Sequence, residues 1–224
     1  MLLTLLLAAS SVRADVSLAH ARQAQALLGP EVWSQIIHIE NQARGSRYPR
    51  SLHALVFEFT GLLWFYTSTD GTQSLSLHYD RLAAEKANLG PLLRDIEPGF
   101  ECWGVVARDE LAPVAGVPTL SNGCFVASVT ELRRLLAEGV SMTSPQLLLY
   151  YDGAYPNGPG HTVLAYESEG GMRVFDPLQP DTVLQFWGGL MRNPIDLARA
   201  LGGPRVSKTR SLPLALPAIR PQFL

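Results

Sequence analysis

Long apolar runs are missing from this 224-residue chain. The longest, residues 2–9, is far short of the ~20 residues that a helix needs to cross a bilayer, so no membrane span is expected. A surplus of positive charge is also lacking. Eighteen Lys and Arg against twenty Asp and Glu leave a net charge of −2, with no basic stripe to neutralise phosphates, which argues against a nucleic-acid partner. No glycine loop of the Walker or dinucleotide type occurs, and the five histidines, at 20, 38, 53, 78 and 161, show no paired metal spacing. Two cysteines, Cys102 and Cys124, cannot make a structural zinc site alone, so neither metal nor cofactor is implied. Internal repeats and charge blocks are absent.

What remains is enough for a globular core: 47% hydrophobic and 17% charged residues over a length that suits one well-packed domain. Leu2, Leu3, Leu5, Leu6 and Leu7 form a short apolar region, and Val12-Arg13-Ala14 offers small residues at the −3 and −1 positions for cleavage before Asp15. A basic stretch ahead of it is missing, so either the true start lies upstream of Met1 or this is an apolar first helix. The reading favoured is a signal segment over 1–14, with export to a periplasmic or extracellular compartment where a Cys102–Cys124 disulfide is permitted. One domain over 15–203 and a Pro-rich irregular tail over 204–224 complete the expected organisation, Pro204, Pro213, Pro217 and Pro221 punctuating the tail.

Chemistry concentrates in three short motifs. Asn122-Gly123-Cys124-Phe125 opens an apolar helix, Gly160-His161-Thr162 follows thirty-seven positions after the Cys, and Phe175-Asp176-Pro177 a further fifteen on. A thiol is a useful nucleophile as thiolate, and unpaired N–H groups and the dipole at a helix N-terminus favour that form. Ser121 or Asn122 can cap there, Gly123 lets the backbone approach closely, and Phe125, Val129, Leu132 and Leu136 recur at helical steps up to Gly139. Residues 161–167 and 172–176 read as the arms of a hairpin around Ser168-Glu169-Gly170-Gly171. An even number of loop residues puts Asp176 opposite an odd-numbered residue and so on the face of His161, the geometry an imidazole-orienting carboxylate requires; an odd loop or a bulge puts it on the other face. Each residue alone also fits a structural role, since Cys is often buried packing, a strand-start His a hydrogen-bonder and Asp before Pro a turn former.

The remaining segments read as support. Residues 15–28 and 30–41 are predicted as helices, the second opened by Pro30 and carrying Val32, Trp33, Ile36, Ile37 and Glu40. Residues 55–60, 62–67 and 72–77 are predicted as strands, with a bulge or bend at Gly61 and a turn at 68–71. A helix over 78–88, a turn over 90–96, a strand over 101–106, a loop over 113–118 and a last helix over 194–201 follow. The loop 150–160, rich in Tyr, Gly and Pro, suits either a substrate-facing wall or a plain connection.

Gly123-Cys124-Phe125-Val126-Ala127, the strand opening with His161 and the Asp176-Pro177 pair resemble the transglutaminase-like branch of the papain-like cysteine hydrolases, over roughly 118–180. The resemblance implies an α+β fold in which a helix carrying Cys124 packs on an antiparallel sheet carrying His161 and Asp176, these three acting as a catalytic triad. Two departures are visible. Thr162-Val163 follow the His where transglutaminase-like chains have a small residue and Trp, which is closer to bacterial peptidases of double-glycine-type specificity. Pro118 stands where papain-type enzymes carry an oxyanion-hole Gln, which leaves the Cys124 backbone N–H as the default donor and Gln73, Asn122 and Trp103 as additions to test.

Two functions are therefore expected from different classes. One is a thiol hydrolase or acyl transferase acting through an acyl-enzyme on a peptide, protein or other amide substrate. The other is a non-catalytic exported binding domain with Cys124 buried or bridged to Cys102.

Overall fold

The structure is a computed structural model and describes residues 16–75, 82–106, 120–152, 160–180, 183–186 and 193–214. The expected signal segment, the loop at 113–118, residues 153–159, positions 78–81, the tail beyond 214 and the side chain of Cys102 lie outside what is described. The chain divides into two compact units, Met1–Val126 and Ala127–Leu224. Each unit builds its own five-stranded sheet and buries its own apolar cluster. Every strand pairing among the described residues is antiparallel, and with the helices this makes the fold α+β.

In the first unit, the helix over 16–28 (α1) buries Ser17, Ala21, Ala24 and Leu28, a stripe at helical spacing. The second predicted helix is a correction: residues 34–41 are strand β1 (Ser34–Asn41). Ile36, Ile37 and Ile39 are stiff β-branched residues suited to a pleated surface. Strand β1 lies between β2 (Ser51–Phe59) and β5 (Phe100–Val105), and its apolar residues are buried on both faces, Ile36 on one and Ile37 and Ile39 on the other, so the alternation that identifies a strand is blurred.

From β2 the chain meanders through β3 (Leu62–Thr67) and β4 (Gly71–Ser74), giving the order β4-β3-β2-β1-β5. Thr60 and Gly61, with φ of 56° and 73°, make a two-residue turn between β2 and β3 where a bulge or bend was predicted. Helices α2 (Leu82–Ala87) and α3 (Gly90–Ile96) follow, the latter in place of the predicted turn and started by Pro91 in its first turn. One sheet face joins Ile37, Ile39, Ala54, Val56, Leu63 and Phe65 to Leu89 and Leu93. The other face carries Phe57 and Trp64, on which Phe125 lies with ring centroids 6.2 and 4.3 Å away.

Helix α4 (Cys124–Ala137) starts at the end of the first unit, and its residues from Ala127 on belong to the second. The second sheet has the order β10-β6-β7-β8-β9, from β6 (Thr143–Asp152), β7 (His161–Ser168), β8 (Gly171–Phe175), β9 (Val183–Phe186) and β10 (Val206–Pro213). Strand β10 corrects the expected irregular tail: residues between Pro204 and Pro213 contain no proline and pair with β6 at the sheet edge, where a terminal Pro213 is tolerated. Helix α5 (Pro194–Gly202) is capped by Asn193, whose side chain accepts the Ile195 N–H at 3.1 Å. Leu197 and Ala198 of α5 cover Leu148, Tyr150, Val163, Ala165 and Val174. No helix among the described residues is long and apolar enough to cross a membrane.

Candidate active site

Register decides where Asp176 points. The β7–β8 hairpin pairs Ser168 with Gly171, so its loop is the two residues Glu169 and Gly170, whose φ of 53° and 76° suit a tight hairpin turn. The loop is thus even. Leu164 pairs with Phe175, and continuing that register puts Asp176 opposite Val163, on the face of His161. The side chains meet: His161 Nε2 and Asp176 Oδ1 are 2.7 Å apart, with only 17% and 13% of the two side chains exposed. Because His161 opens β7 and Asp176 follows the last residue of β8, the pair sits at the end of the sheet.

An ionised carboxylate only accepts hydrogen bonds, so Nε2 of His161 carries the hydrogen and, in the neutral ring, the lone pair is on Nδ1. Burial by itself pushes the Asp176 carboxyl up. Hydrogen bonds from His161 and from the Leu178 N–H at 2.9 Å, with the charge of a protonated His161, more than offset this and hold the group below its ordinary value. Asp176 therefore does two things at once: it orients the imidazole and, with its backbone carbonyl accepting from Gln179 N–H at 2.8 Å, it fixes the turn through Pro177. Tyr150, paired with His161 across β6 and β7, sets its ring edge-on at 5.4 Å and restricts the imidazole from that side.

Cys124 belongs to the first unit. It is the first residue of α4, is half-buried and takes part in no disulfide. The turn before it has little freedom. Asn122 is in the left-handed region at φ 53°, Gly123 N–H donates to Leu120 O at 3.3 Å, and a Cβ on Gly123 would lie 2.2 Å from Leu120 Cδ2. A side chain at position 123 would therefore have to displace that of Leu120.

Of the side chains considered as oxyanion donors, Gln73 and Asn122 are committed elsewhere. The Gln73 amide donates to Tyr48 Oη at 3.1 Å and to Asp70, which also accepts from Tyr48 at 2.5 Å. The Asn122 amide donates to Ser68 O at 2.7 Å. Trp103 packs against the cluster on the α3 side of the first sheet, its Nε1 3.5 Å from where a Cβ on Gly90 would stand.

Two residues of interest escaped the sequence reading. Ser128, fully buried, donates to the carbonyl of Thr162 at 3.2 Å and so docks α4 on the strand that His161 opens. A signal existed, since a polar residue sits in the apolar stripe one turn after Cys124. Tyr66, whose hydroxyl donates to Ser121 O at 2.7 Å, has no local signal because its partner is fifty-five positions away. Among the described residues no cluster of three or more His, Cys, Asp or Glu is placed to hold a metal. In comparisons with known proteins, no family model, no curated protein and no solved structure matches the chain.

Proposed function

We propose that the chain is a thiol-dependent hydrolase or acyl transferase acting on amide bonds, with a fold of the papain-like or transglutaminase-like kind. The observation that carries this reading is the His161–Asp176 hydrogen bond at 2.7 Å, reached by two residues fifteen positions apart through a hairpin of the parity the chemistry requires. Two features add support. Cys124 opens a helix, where thiolate is favoured, and one turn later that helix is tied through Ser128 to the residue after His161.

In this reading the Cys124 thiolate attacks the substrate carbonyl, and the tetrahedral oxyanion is met by the Cys124 backbone N–H. His161 takes the thiol proton on Nδ1 and returns it to the leaving amine, while Asp176 holds the tautomer and stabilises the imidazolium. The thioester left on Cys124 is resolved by water, giving hydrolysis, or by an amine, giving transfer.

The test is a burst of p-nitrophenolate from p-nitrophenyl acetate with acetyl found on Cys124 by peptide mass mapping. A stoichiometric burst lost in Cys124→Ala and His161→Ala supports the reading. No burst in the wild-type chain, or an acetyl group on lysines only, points to the non-catalytic binding domain instead.

A further inference from the structure

The turn that presents Cys124 is held by a hairpin far away in sequence. Tyr66 on β3 is fully buried, and its hydroxyl donates to Ser121 O at 2.7 Å. The next residue, Asn122, donates its amide to Ser68 O at 2.7 Å in the turn that leaves β3, and Ser121 Oγ lies 3.4 Å from the same carbonyl. That turn presses back: a Cβ on Gly71 would stand 3.0 Å from Asn122 O, so the two backbones are in close contact. Residues 121 and 122 are therefore held at the Ser121 carbonyl and through both side chains, directly ahead of Gly123 and Cys124.

From this geometry we infer that Tyr66 is the positioning residue of Cys124, acting through the Ser121 carbonyl, with Asn122 as its second anchor on the β3–β4 turn. The inference rests on the proposed role of Cys124 as nucleophile. Its physical content is that the thiolate gains from the N-terminus of α4 only while the turn keeps the first N–H groups aimed at the sulfur. Tyr66 remains a neutral donor in this arrangement: burial, and next the negative charge of Cys124, push its phenol up, well above the ordinary value.

The experiment is the pH profile of Cys124 alkylation by iodoacetamide in the wild-type chain, Tyr66→Phe and Asn122→Gly, each with its melting temperature. Tyr66→Phe keeps the ring and removes the donor, and Asn122→Gly keeps the positive φ and removes the amide. The expected result is a midpoint raised by about half a pH unit in both variants, read as about threefold slower alkylation on the acidic limb. A lowered melting temperature with an unmoved midpoint in both would assign Tyr66 and Asn122 to structure alone and overturn the inference. Failure of the underlying reading is recognisable separately, because then Cys124 of the wild-type chain shows no advantage over Cys102 at mildly acidic pH.

Discussion

The two units set their candidate site residues by opposite means. In the second, His161 and Asp176 are aligned by a local device, a hairpin whose two-residue loop sets the register and with it the face of each side chain. In the first, the turn bearing Cys124 is set by partners more than fifty positions away, Tyr66 and Ser68. A local device is encoded in loop parity and is insensitive to the rest of the fold, whereas a distant one fails whenever its supporting sheet shifts. Perturbations of the dyad should therefore read out in chemistry first, and perturbations around Cys124 in both chemistry and folding.

The largest effect is expected from His161→Ala, which removes the proposed base. The acylation burst should fall at least about 100-fold with melting little changed. Asp176→Asn comes next and separates the residue's two tasks. An Asn oxygen can still accept from Leu178 N–H, so the turn survives, while the loss of charge removes stabilisation of the imidazolium. A burst at least about tenfold slower, with a melting temperature close to wild type, is the predicted outcome. Asp176→Ala loses the turn acceptor too and should melt lower than Asp176→Asn.

Ser128→Ala tests the tie between α4 and β7. It leaves a buried carbonyl on Thr162 without this donor, and denaturant unfolding should show a loss of about 1–3 kcal/mol. The smallest expected effect is on acid stability. Asp176 is held below 3.8, so the stability it contributes is complete above that value and disappears as the pH falls through its lower native value. In melts between about pH 5 and pH 2 the wild-type chain should lose its advantage over Asp176→Asn, whose amide does not titrate. A constant difference across that range would show that Asp176 stabilises through its turn and not through its charge.

How much of this was legible in the sequence follows the same division. The pairing of Asp176 with His161 could be stated as a parity condition because the hairpin is local, and α4 was readable from its apolar stripe and from Gly139, which takes φ 72° beyond its end. Strand β1 was misread because apolar residues buried on both faces mimic a helical pattern, which only the pairing with β2 and β5 resolves. Strand β10 was hidden by the prolines around it, and β6 by an apolar run, Leu147-Leu148-Leu149, that has no alternation of its own. The clamp from Tyr66 was beyond reach for a different reason: nothing in a buried aromatic residue of a strand announces which backbone carbonyl it will meet.

The measurement that bears most directly on the account is competitive alkylation of Cys124 and Cys102 in the native wild-type chain and in His161→Ala, followed by peptide mass mapping from mildly acidic to neutral pH. Thiolate character supplied by the helix terminus and by an imidazole predicts that Cys124 reacts well before Cys102, and that His161→Ala shifts its profile to higher pH. Equal labelling of the two cysteines, or a Cys124 profile indifferent to His161, would contradict a nucleophile served by this histidine.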